Sequence, residues 1–283
     1  MKVRKPYVAN AFYAGTRASL TNQICGCFTH KFGPRQIPKG QQTGPRKILG
    51  IISPHAGYMY SGPVAANGYA RLAADGSPET FIILGPNHTG QGSGVSILTD
   101  GAWETPIGTT KIQTELAERI QKSNSILDVD EASHAYEHSI EVQLPFIQFL
   151  YGDSAKFIPI CMMMQDLKTS REIAKSIVEQ CKGKNYVIIA SSDFTHYEPH
   201  ETACRKDRSA IDAILKLDDE ALNELGESNR VTMCGYGPIS TLIAAAKLMT
   251  GVKAELLAHR TSGDITDDRS AVVGYSSLVF TRD

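Results

Sequence analysis

The chain has 283 residues, with 29 Lys+Arg against 30 Asp+Glu and a formal net charge of -1. That balance excludes the basic excess of a general nucleic-acid binder, and 42% hydrophobic with 21% charged residues excludes a disordered or collagen-like chain. No run approaches the roughly 18–20 unbroken apolar residues of a membrane helix. The start, MKVRKPYVANAFYAG, lacks the apolar core of a signal peptide. The expectation is a cytoplasmic protein that engages neither nucleic acid nor membrane.

In chain order, Leu20, Ile24 and Cys27/Phe28 recur at helical spacing behind Ser19 as cap. The stretch 33–47, rich in Gly, Pro and basic residues, reads as an exposed loop. Only about thirty residues precede it, too few to fold alone, so a single domain over 1–283 is expected. Residues 47–53 form an apolar β-run, 62–74 a helix and 80–87 a second β-run. Shorter strands are expected at 94–99 and 109–113, then helices at 114–123 and 137–151. Strands at 156–162 and 185–192 flank a helix at 168–182. Helices at 200–216, 218–225 and 238–250 precede strands at 254–260 and 271–280. Apolar strands without clean alternation, separated by helices, indicate a sheet covered on both faces. The expected fold is an α/β three-layer α/β/α sandwich with a mixed, mostly parallel sheet and an antiparallel final strand.

Three β-runs lead directly into small-residue turns carrying histidine: His55, His88 and, after Asp193, His196. Ligands of open α/β sheets bind beyond the carboxyl ends of the strands. Neutral imidazole is both the commonest metal ligand and the usual general base. A lone loop histidine is most often just hydrogen-bonded; three at equivalent strand ends point to a site. Cys234 lies just before a helix expected to start at Pro238 with Gly237 as cap, where the helix dipole favours a thiolate. The glycines around it favour close backbone approach. The other five cysteines read as structural thiols, because their spacing matches neither a zinc knuckle nor a disulfide scaffold. On the helix expected over 137–151, His138 and Glu141 are neighbours at i,i+3 and Glu137 and Glu141 at i,i+4. His138 and Glu141 are expected to support the site from behind its ligands. His30 and His259 read as surface or structural residues; His134 and His200 could line the mouth of the pocket and are not counted in the site.

The segments SPHAGYMYSG (53–62), ILGPNH (83–88), EHSIEVQLPF (137–146), SSDFTHY (191–197) and CGYGPI (234–239) together resemble the Memo family. AFYAG (11–15) and SGDITDDRSAVVGY (262–275) extend the resemblance over nearly the whole chain. Ala14 departs from the Pro that many relatives carry, a change in a turn. The family is similar in fold to the LigB-like class III extradiol dioxygenases, which hold Fe(II) with two histidines and a carboxylate. The resemblance implies His55 and His88 as metal ligands, His196 as acid/base, and Cys234 in place of the carboxylate. Asp193 is implied as an orienting group or additional ligand. A thiolate is softer than a carboxylate, so iron remains the first metal while zinc and copper become attractive. Two functions are therefore expected: a metal-dependent redox enzyme acting on a small organic molecule, or a scaffold holding a metal or peptide without turnover. The resemblance also implies a radical SAM protein as partner.

Overall fold

The computed structural model describes residues 2–40 and 43–283. Five parallel strands form its centre, in the order Thr109–Ile112, Lys156–Met162, Thr80–Pro86, Tyr186–Ser191, Ile48–Ser53. Beyond Ile48–Ser53 the strand Val272–Arg282 runs antiparallel and pairs in turn with Val252–Thr261. At the other edge Ala102–Glu104 forms a hairpin with Thr109–Ile112, and Val3–Arg4 adds beside it. The antiparallel last strand and the mostly parallel sheet are as expected.

The central strands read as unbroken apolar runs because they are buried on both faces. Ile48–Ser53 and Tyr186–Ser191 are buried at every position. Gly50 meets Leu242 of the helix Tyr236–Lys247, whereas its neighbour Ile51 meets Gly68 of the helix Tyr58–Ala74. Successive residues of a strand point to opposite faces, so these two helices lie on opposite sides of the sheet. Three layers result.

Helix boundaries depart from expectation where a better cap lies upstream. The first helix spans Arg17–Thr29 and is capped by Thr16, whose hydroxyl accepts the Ser19 N–H; Ser19 is inside it. The expected stripe of Leu20, Ile24, Cys27 and Phe28 is buried. The helix expected at 62–74 begins at Tyr58, because the Gly57 carbonyl takes the N–H groups of Tyr60 and Ser61. The helix expected from Pro238 begins at Tyr236 behind Gly235. Pro238 is its third residue, a position whose N–H has no intrahelical partner to lose. The loop after Lys31 has no helix or strand before Ile48 among the described residues; positions 41 and 42 of it lie outside them. No described helix is long and apolar enough to cross a membrane.

Candidate metal centre

Because the strands Ile48–Ser53, Thr80–Pro86 and Tyr186–Ser191 are parallel neighbours, their carboxyl ends share one edge. His55 leaves the first, His88 the second and Asp193 the third, each within three residues of the strand end. One ligand atom from each of His55, His88 and His138 lies within 4.8 Å of the other two. The cluster grades outward from buried His55 through partly exposed His138 to exposed His88, so it opens to solvent on the His88 side.

His138 arrives there because its segment is not helical. The helix expected over 137–151 starts only at Leu144, with a 3₁₀ turn at Glu141–Gln143 before it. The buried Glu137 carboxylate accepts the N–H groups of His138 and Ser139, at 2.8 Å each, and also the His88 N–H. Side-chain to backbone bonds of this kind compete with helix formation. They curl the segment against the end of Thr80–Pro86 and stack the His138 ring on that of His88, with centroids 4.6 Å apart. Glu141, with its neighbour at i,i+3 removed, turns to the N-terminal segment. It accepts from Arg4 Nη1 at 2.6 Å, from the N–H groups of Tyr7 and Val8, and from the Tyr13 hydroxyl at 2.6 Å.

Hydrogen-bond accounting fixes which ring nitrogens are free. The Ser191 hydroxyl donates to the Ser139 carbonyl at 2.7 Å, and its oxygen accepts from Gln143 Nε2 at 2.9 Å. The Gln143 orientation is set by the Pro54 carbonyl, which can only accept, and by the Tyr69 hydroxyl on its oxygen. Ser191 Oγ, 2.8 Å from His55 Nδ1, can therefore only accept there, so Nδ1 carries the proton. His88 Nδ1 donates in the same way to Glu137 Oε1 at 2.9 Å. In both rings Nε2 is left with its lone pair. This is the arrangement by which metal-binding histidines are held in tautomer and orientation. Burial would raise the Glu137 carboxyl, but the hydrogen bonds from the ring and backbone of His88 hold it down at about 2, so it stays an acceptor. Burial lowers His55 well below its ordinary value and His138 to about 4, leaving both neutral.

Cys234 Sγ lies 3.2 Å from His55 Nε2 and 3.3 Å from the Asp193 amide nitrogen. Gly235 permits this approach: a Cβ there would sit 2.4 Å from the Ser191 carbonyl oxygen. The expected helix-dipole effect on the thiol is outweighed, since burial and then the Asp193 carboxylate push it up. Asp193 takes the His55 N–H at 2.9 Å and so fixes the backbone from which that ring hangs. Burial pushes its carboxyl up to about 6. His196 donates Nδ1–H to the Thr232 carbonyl at 2.8 Å, which leaves its Nε2 as an acceptor. It stands outside the three-histidine set but near His55 and Asp193.

The donor set fits a metal ion. Two nitrogens on one ion, each at about 2.1 Å, are at most about 4.2 Å apart, so the imidazole set closes with a small side-chain adjustment. The role of Glu137 escaped the sequence reading, because its contact with His88 spans 49 positions. A clue lay in its place directly before His138.

A family model described as Memo-like protein matches residues 4–279. Among similar proteins, a MEMO1 family protein of Methanopyrus kandleri is 48% identical over 281 residues, covering 99% of each chain. One from Methanothermobacter thermautotrophicus is 45% identical, covering 98% of this chain and 99% of its own, and one from Sulfolobus acidocaldarius is 47% identical at the same coverage. The fold is similar to that in the crystal structure of an uncharacterized protein, JW3007, from Escherichia coli K12. The TM-score is 0.53 at 10% identity, over 82% of this chain and 100% of that one. With the family model matched over residues 4–279 and relatives 45–48% identical over nearly their whole length, the chain belongs to the Memo family.

Proposed function

We propose that the chain holds one divalent metal ion, iron(II) first among the candidates, and acts as a redox enzyme on a small organic molecule. His55, His88 and Cys234 would hold the ion, with His138 beside them. The observation that carries this reading is the pair of buried acceptors, Ser191 and Glu137, which leave Nε2 free on both His55 and His88. A bound iron ion would supply Lewis acidity and one-electron redox chemistry. The chain's own residues would do the rest. Asp193 keeps His55 in place through its backbone N–H. His196 offers an Nε2 lone pair to take a proton from a substrate entering on the open, His88 side. Neutral His55 and His138 leave the pocket without cationic side chains from those positions, which suits an uncharged substrate.

The test is metal analysis of protein purified without oxygen, followed by an oxygen-uptake screen with catechols and other phenols. About one metal per chain is expected in the wild type, with most of it lost in His55→Ala and in His88→Ala. Equal metal content in all three proteins refutes the site. Full metal loading with no turnover on any compound favours a metal-holding scaffold over an enzyme.

A further inference from the structure

Behind the loop that carries Asp193 and His196 lies a second group of buried polar atoms. Thr195 Oγ1, Asp207 Oδ2 and His259 Nε2 are all buried and have no hydrogen-bond partner among the described residues. Asp207 stands on the helix His200–Leu215 and is fully buried. Its Oδ1 accepts the Thr195 N–H at 2.9 Å, and the Thr195 hydroxyl lies beside the same carboxylate. Its Oδ2 faces His259 Nε2 at 3.7 Å. The strand Val272–Arg282 makes room by carrying glycine at 274, where a Cβ would sit 1.9 Å from Oδ2. His259 is steadied by Ser276, whose Oγ lies 3.0 Å from Nδ1, and its side chain is 19% exposed. A continuous line therefore runs from solvent through His259 and Asp207 to the backbone of the loop.

We propose that Asp207 is a positioning residue for the Asp193–His196 loop, and that His259 sets how firmly it holds by closing on the carboxylate when it gains a proton. Half of a buried carboxylate without a partner is costly. A charge-assisted N–H···O bond is about 2.7–2.9 Å long, so the present gap is roughly 0.9 Å too wide for one. Protonation of His259 makes Nε2 a donor whatever the neutral tautomer and supplies the missing charge. Closing that gap fixes the carboxylate whose other oxygen holds Thr195.

Burial lowers His259 and raises Asp207, so the proton is gained below the ordinary histidine value of 6.5. The other charged or titratable groups acting on the pair are His196 from the loop, Cys204 from the same helix, Arg260 beside His259, and Asp264. Lys206 is engaged by Glu198. The role of the device rests on the proposed use of His196, but its existence does not, and the test needs neither metal nor turnover.

The test is amide hydrogen exchange over residues 193–197 in the full metal-free chain, corrected for intrinsic pH dependence. Histidine titrates in the range of about pH 5 to 8. Across it the wild-type Thr195 amide should become about threefold more protected toward the acid side. His259→Gln should abolish that pH dependence. Asp207→Ala should speed exchange about tenfold, whereas Asp207→Asn, which still offers an oxygen to Thr195, should keep most of the protection but lose its pH dependence. If Asp207→Ala fails to fold, His259→Gln and Asp207→Asn still decide. A flat wild-type profile, or an unchanged profile in His259→Gln, overturns the proposal.

Discussion

Glu137→Gln removes one charge and one acceptor from the most heavily used side chain of the site. The carboxylate takes four donors: the ring and backbone N–H groups of His88, and the backbone N–H groups of His138 and Ser139. A carboxamide has one oxygen, and its NH₂ must face at least one of these donors. A buried N–H left without an acceptor costs about 1–3 kcal/mol. Loss of the carboxylate behind a metal-bound histidine weakens metal binding about 10–100-fold, or about 1.4–2.8 kcal/mol. The variant should therefore show both a lowered melting temperature without metal and a further loss of affinity in an anaerobic chelator competition. The two measurements separate the effects. If Glu137→Gln is destabilised but binds metal as tightly as wild type, the carboxylate only shapes the turn, and the argument for His88 as a metal ligand fails with it.

Three more outcomes follow from the same contacts. Gly235→Ala drives a methyl against the Ser191 carbonyl and Ser192 Cβ, 2.4 and 2.7 Å away. It should cost about 1–3 kcal/mol in urea unfolding and reduce metal content, and wild-type values for both would refute the close approach. Arg4→Ala strips the counter-charge from buried Glu141 and leaves it only neutral donors, a loss of about 3–5 kcal/mol; limited proteolysis should then nick the segment between Arg4 and Tyr13, and an uncut chain would show that Arg4 is dispensable. At Asp219, burial is overcome by Arg171 and Lys247, which hold the carboxyl below its ordinary 3.8. A depressed carboxyl contributes stability above its unfolded pKa and loses it as pH falls through the folded one. Asp219→Asn should therefore be less stable than wild type near pH 6 and equal to it at the acid end of the range, and a gap that persists in acid contradicts the assignment.

The parts of the fold legible in the sequence are those decided by burial. The runs 48–53, 80–86, 156–162 and 186–191 have apolar interiors because helices cover both faces, and their order with the helices implies parallel pairing. Histidines beyond three of these runs, at 55, 88 and 196, announce a site because the parallel strands bring their carboxyl ends to one edge. What escaped is decided by single bonds between distant positions. His138 read as helical because periodicity cannot register that Glu137 will be claimed by His88. The short helix Ala132–Ala135 and the strand Ala102–Glu104 are too brief to carry a period. Asp207 and His259, 52 positions apart, carry no local signature at all; their elements meet only where the helix His200–Leu215 packs on the strand Val252–Thr261.

The third ligand is the point on which sequence and geometry can be set against each other. Two donors on one ion, at about 2.1 Å for nitrogen and 2.3 Å for sulfur, stand 3.2 Å apart when the angle between them is about 95°. His55 Nε2 and Cys234 Sγ already have that separation, bridged at present by a hydrogen. A metal ion taking the place of that proton would need neither residue to move. The imidazole set has a span of up to 4.8 Å to close, and His138 is stacked on His88. Cys234 should therefore complete the set, with His138 guarding the open side. X-ray absorption at the metal edge should show one sulfur near 2.3 Å beside nitrogens near 2.1 Å. Cys234→Ala should lose the sulfur scatterer and most of the metal, and His138→Ala should keep both with weaker affinity. A shell containing only nitrogen and oxygen, lost in His138→Ala and intact in Cys234→Ala, would reverse the assignment and make the centre a three-histidine site.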